Sequence, residues 1–127
     1  MDPRFITRKI HAWLDYPVAF GLLTLPLLLG LGESTPLAFW LSVATGAAAL
    51  VLTILTDHET GIIRILPFGF HVAVDFIVGL SFVAAPFLLG FTGLDAWFYW
   101  LNGGAVITVI ALSRPLSESA PPAAAIR

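Results

Sequence analysis

Cysteine is absent from the 127-residue chain, which excludes disulfides, thiolate metal sites, iron–sulfur clusters, covalently attached haem and a cysteine nucleophile together. Charge is scarce as well. Only 11% of the residues are Asp, Glu, Lys or Arg, with a formal net charge of −2, so there is no basic patch to track a nucleic-acid backbone and no nucleic-acid partner is expected. Glycine-rich phosphate loops and the Gly-x-Ser-x-Gly elbow are missing. The stretch from His58 and Glu59 to Ile62 departs from the His-Glu-x-x-His of zinc proteases. With no nucleophile–base pair in view, the chain is not expected to be an enzyme. The first apolar block carries His11 and Asp15 and lacks a small-residue cleavage site, so it is expected to stay in the mature protein.

What the chain does have is apolar length. Its 58% hydrophobic content lies well outside the mix of soluble domains. Four apolar blocks, at about 10–31, 37–56, 68–91 and 96–113, each approach the roughly 20 residues a helix needs to cross the hydrocarbon. Turn formers separate them: Gly32 to Pro36, Asp57 to Pro67, and Thr92 to Asp95. Residues 1–113 are therefore read as one four-helix transmembrane domain, and 114–127 as a disordered cytoplasmic tail. Arg4, Arg8, Lys9, Arg64, Arg114 and Arg127 flank one side, Glu33 and Asp95 the other, so the expected topology is N-in and C-in. Trp40, Trp97, Tyr99 and Trp100 are expected to form an outer aromatic belt, with Trp13 and Tyr16 at the inner boundary.

The chain also repeats itself. At an offset of 60, His11 falls on His71, Asp15 on Asp75, Pro26 on Pro86, Leu28-Leu29-Gly30 on Leu88-Leu89-Gly90, and Trp40 on Trp100. Repeat 1 covers about 4–56 and repeat 2 about 64–113. Two crossings separate the copies, so both enter the membrane in the same direction. The predicted fold is an all-α membrane protein, a tandem duplication of a helical hairpin with a parallel pseudo-two-fold along the membrane normal.

The repeated unit, Leu25-Pro26 through Gly30-Leu31 and Ala85-Pro86-Phe87 through Gly90-Phe91 followed by Ala96-Trp97, resembles the SPW repeat of small bacterial membrane proteins, although neither copy keeps the Ser-Pro-Trp tripeptide. The resemblance covers nearly the whole chain outside the tail. It implies the four-helix architecture and a bacterial inner membrane, and it implies no reaction.

His11/Asp15 and His71/Asp75 are the ionisable pairs within predicted spans. Spacing of four puts both members on one helix face, and intramembrane ionisable residues are functional candidates by default. Three readings stay open: each Asp pairs structurally with its own His; the two pairs converge to hold a metal ion or haem b, with carboxylates as ligands or as acceptors behind the rings; or the groups relay protons or ions. His58, on a loop, is expected to be a solvated turn residue. Pro26 and Pro86 deprive the carbonyls of Leu22 and Phe82 of their helical partners. Small residues spaced three and four apart, Ser42, Gly46, Ala49, Thr53 and Thr56 on helix 2 and Asn102, Ala105, Thr108 and Ala111 on helix 4, are predicted packing stripes. Asn102, paired with Ser42 by the repeat, is expected to hydrogen-bond across helices. Self-association, or membership of a larger membrane complex, is the expected mode of assembly.

Overall fold

A computed structural model describes residues 2–114; the predicted disordered tail lies, apart from Arg114, outside them. Four helices follow one another: α1 (Arg8–Leu29), α2 (Pro36–Leu55), α3 (Phe68–Leu89) and α4 (Gly93–Ala111). Each is long and apolar enough to cross a membrane, and the chain is a multi-pass membrane protein. Among the described residues there is no strand beyond isolated bridges.

Local chemistry sets the helix ends. The Thr7 hydroxyl accepts the Ile10 N–H at 3.2 Å, and that of Thr35 accepts the Leu37 N–H at 3.3 Å, each satisfying a donor the first helical turn leaves free. Pro36, with no N–H to lose, opens α2. Gly30 and Gly90 stop α1 and α3 in the left-handed region, at φ 67° and 73°. α4 starts earlier than the apolar block suggests. Gly93, Leu94 and Asp95 form its first turn, where a carboxylate suits the positive end of the helix dipole. Asp95 is also buried, because it accepts from the backbone N–H of Gly32 at 2.9 Å and of Ser34 at 3.0 Å, and from the Ser34 hydroxyl. That carboxylate ties the α1–α2 loop to the start of α4.

Within each hairpin the helices close on glycine. A Cβ on Gly46 would stand 2.9 Å from Leu22 Cβ and 3.0 Å from the Ala19 carbonyl; one on Gly103 would stand 2.7 Å from the Gly79 carbonyl and 2.9 Å from Phe82 Cβ. The packing face of α4 accordingly runs through Asp95, Tyr99 and Gly103. Ala105, Thr108 and Ala111, the predicted stripe, are exposed. Tyr99, expected in the outer belt, is fully buried and donates its hydroxyl to the Ala38 carbonyl on α2 at 2.7 Å. With Phe82, Phe91 and Phe98 it fills the core near the Glu33/Asp95 end.

The helix starts differ by 60 between α1 and α3 (8 and 68) but by 57 between α2 and α4 (36 and 93). The connection at 90–92 is three residues shorter than that at 30–35, and this resets the register. At 57, the buried Ala38, Ser42 and Gly46 meet the buried Asp95, Tyr99 and Gly103. The expected matches of Trp40 with Trp100 and of Ser42 with Asn102 are replaced by Trp97 and Tyr99. Asn102 donates to the Phe98 carbonyl of its own helix at 2.8 Å, as Thr45 does to that of Leu41 at 2.7 Å. The backbone clasps at the basic end follow the same offsets. Leu66 N–H bonds Leu55 O at 2.8 Å and Asp57 N–H bonds Leu66 O at 2.8 Å; Ile6 N–H bonds Leu112 O at 3.0 Å and Arg114 N–H bonds Ile6 O at 2.9 Å.

Candidate metal centre

His11 and His71 sit in the first turns of α1 and α3, each four residues ahead of its aspartate. Both helices start at the basic end, so the rings meet inside the bundle below the α2–α3 loop, with centroids 5.6 Å apart. Each histidine reaches its own aspartate: His11 Nε2 is 3.4 Å from Asp15 Oδ1, and His71 Nε2 is 3.2 Å from Asp75 Oδ2. Each also reaches the other pair, with His11 Nε2 at 3.0 Å from Asp75 Oδ2 and His71 Nε2 at 3.2 Å from Asp15 Oδ2. One ligand atom from each of the four residues lies within 4.8 Å of the other three.

Burial is deep. His11 and His71 are 2% and 1% exposed, and the aspartate side chains 11% and 22%. A cavity of about 90 Å³ adjoins the cluster, bounded also by Thr53, Asn102 and apolar side chains, which leaves space for water beside the polar groups.

A third histidine joins them. His58, expected on a solvated turn, is 1% exposed and places Nε2 at 3.2 Å from Asp15 Oδ2. The α2–α3 loop folds back over the cluster and is pinned to α1. Tyr16 donates its hydroxyl to the Thr60 carbonyl at 2.7 Å, the Thr60 hydroxyl donates to the Ala12 carbonyl at 2.9 Å, and Arg8 pairs with Glu59 at 3.1 Å. A Cβ on Gly61 would fall 1.9 Å from the Thr56 carbonyl, so the tight return of this loop requires glycine. Local sequence carries little sign of that burial, since the pinning partners lie more than 40 positions away.

Proton positions follow from the neighbours. Thr56 has one hydroxyl proton, and its oxygen is 2.6 Å from the Leu52 carbonyl, which can only accept. His71 Nδ1, 2.7 Å from the same oxygen, is therefore the donor there. The lone pair of Nε2 would then face two carboxylate oxygens, an arrangement that calls for a positive charge between them. Among the described residues, His11 Nδ1 and His58 Nδ1 are buried with no hydrogen-bond partner. Their protons belong on Nε2, donated to Asp75 and Asp15.

Comparison with known proteins yields no match among family models, curated proteins or solved structures.

Proposed function

We propose that this membrane protein is a non-catalytic binding protein that holds one divalent metal ion between its two His-x-x-x-Asp pairs. The observation that carries the reading is the convergence of four ligand atoms, one from each of His11, Asp15, His71 and Asp75, within 4.8 Å in the apolar interior. Contacts of 3.2 Å from His71 Nε2 to both carboxylates suit ligands about 2.0–2.2 Å from a shared ion at an angle of roughly 100°. Two carboxylates and one divalent ion sum to zero charge, whereas a proton on His71 leaves a net negative charge in the membrane interior, where uncompensated charge is costly. Thr56, by fixing the His71 proton on Nδ1, presents Nε2 to the ion, as the partners behind ligand histidines do. His11 becomes the fourth ligand by moving its proton to Nδ1, which has no hydrogen-bond partner among the described residues, so binding of the ion must offset the desolvation of that N–H.

Imidazole and carboxylate without thiolate favour ions such as Zn²⁺, Mn²⁺ or Fe²⁺. Haem b is less suited, since both carboxylates occupy the space a porphyrin would need between the histidines. The buried apolar core around Tyr99 and Phe82 carries no ionisable relay from the centre toward the acidic end among the described residues, which supports holding an ion over conducting one. In this reading the clasps at the basic end reflect a duplicated hairpin with its pseudo-two-fold along the membrane normal, and the basic end is cytoplasmic in a bacterial inner membrane. Elemental analysis of detergent-purified protein tests the metal: about one ion per chain is expected, lost in His71→Ala. A chain that takes up none of Zn²⁺, Mn²⁺ or Fe²⁺ in titration overturns the proposal.

A further inference from the structure

His58 lies outside the internal repeat. Position 58 advanced by 57 is Pro115, which offers no ligand or donor, so the third histidine belongs to one side of the centre alone. It is nevertheless as buried as the paired histidines, at 1% exposure, and its ring centroid is 5.4 Å from that of His71. Its Nε2 is 3.2 Å from Asp15 Oδ2, the oxygen that also faces His71 Nε2. Its Nδ1 is buried with no partner among the described residues, and this fixes the tautomer. A buried N–H left unpaired costs the desolvation of a donor, so the ring keeps its proton on Nε2, where Asp15 accepts it.

We propose that His58 is a positioning residue of the metal centre, acting on the ion through Asp15. The inference rests on the metal-binding reading above. By donating Nε2–H to Asp15 Oδ2, His58 holds the carboxylate plane so that the remaining lone pairs of Asp15 point at the ion, and it lowers the cost of keeping that carboxylate ionised below the loop. The α2–α3 loop carries this donor. Besides the His58–Asp15 contact, three contacts hold it on α1, Tyr16 to Thr60, Thr60 to Ala12 and Arg8 to Glu59, and the last is an ion pair at the edge of the bundle. Displacing the loop would take this donor from Asp15. Retention of the ion is thus coupled to the contacts that hold the loop on α1.

The test is competition between the purified full-length protein and a chelator, using Zn²⁺ for affinity and Co²⁺ for absorption. Hydrogen bonds behind metal ligands typically contribute about 10–100-fold to affinity, so His58→Ala is expected to bind about 10–100-fold more weakly. Its Co²⁺ spectrum should keep the wild-type ligand set. His58→Gln, whose amide can donate to the same oxygen, should recover most of the affinity. Arg8→Ala should speed extraction by chelator without altering the spectrum. Undiminished affinity in His58→Ala overturns the proposal while leaving metal binding intact; loss of a nitrogen ligand from the Co²⁺ spectrum overturns it too, by making His58 a ligand. Failure of Gln to improve on Ala counts against donation to Asp15. A wild-type chain that binds neither ion removes the proposal together with its premise.

Discussion

Pro26 strips the Leu22 carbonyl of its helical donor, and Ser42 on α2 replaces it with a hydroxyl donated at 2.8 Å. The loss was legible in the sequence; the remedy was not, since it depends on which face of α2 meets α1. Ser42→Ala leaves that carbonyl buried and unpaired, at an expected cost of about 1–3 kcal/mol, read as a lower thermal midpoint in detergent. The same contrast runs through the metal centre. Spacing alone put each aspartate on the face of its own histidine, but the cross-contacts of His11 with Asp75 and of His71 with Asp15 needed the assembled bundle. Thr56 reads from the sequence only as the last member of the α2 packing stripe, because a threonine at a helix end is unremarkable until a ring nitrogen is placed 2.7 Å away. Thr56→Val keeps the shape and removes the acceptor for His71 Nδ1–H, so metal affinity should fall about 10–100-fold with helicity unchanged. Unchanged affinity would show that this hydroxyl does not orient the ring. Ligand nitrogens must shed protons to bind, so affinity should also weaken steadily as pH is lowered, as followed by chelator competition.

The helices themselves were readable from hydropathy, and three of the four begin within two residues of the apolar blocks. α4 was the exception. Its first turn uses Gly93 and Asp95, both strong turn signals in isolation, and only the Asp95 contacts with Gly32 and Ser34 explain why an acidic residue is buried there. Register was the subtler matter. Trp40 matches both Trp97 and Trp100 by identity, and the ungapped match of Trp40-Leu41 with Trp100-Leu101 favoured an offset of 60; with the shorter connection at 90–92, the buried positions of α2 and α4 coincide at 57 instead. The close crossing of α3 and α4 gives a paired test. Gly103→Ala drives a Cβ to 2.7 Å from the Gly79 carbonyl, whereas nothing lies within 4 Å of the corresponding position on Gly104. The first substitution should destabilise by about 1–3 kcal/mol and Gly104→Ala should not, as thermal unfolding in detergent would register. Equal effects would contradict the placement of α4.

For the whole molecule, the one-sided distribution of basic residues predicts which end faces the cytoplasm. A cysteine placed at Glu33 should react with an impermeant reagent added outside intact cells, and one at Arg64 should not; the reverse pattern would invert the topology. The clasps at the basic end have a separate consequence. The bonds that bring Ile6 to Leu112 and Arg114 repeat those that bring Leu66 to Leu55 and Asp57, so the described ends of the chain meet in the same way as the two hairpins do at their covalent link. The backbone pairing is the same at both junctions, and the His58 loop is what sets the α2–α3 junction apart. A circular permutant that opens between Ile63 and Arg64, with Arg114 joined to Asp2 by a short linker, should therefore insert and fold as the natural order does.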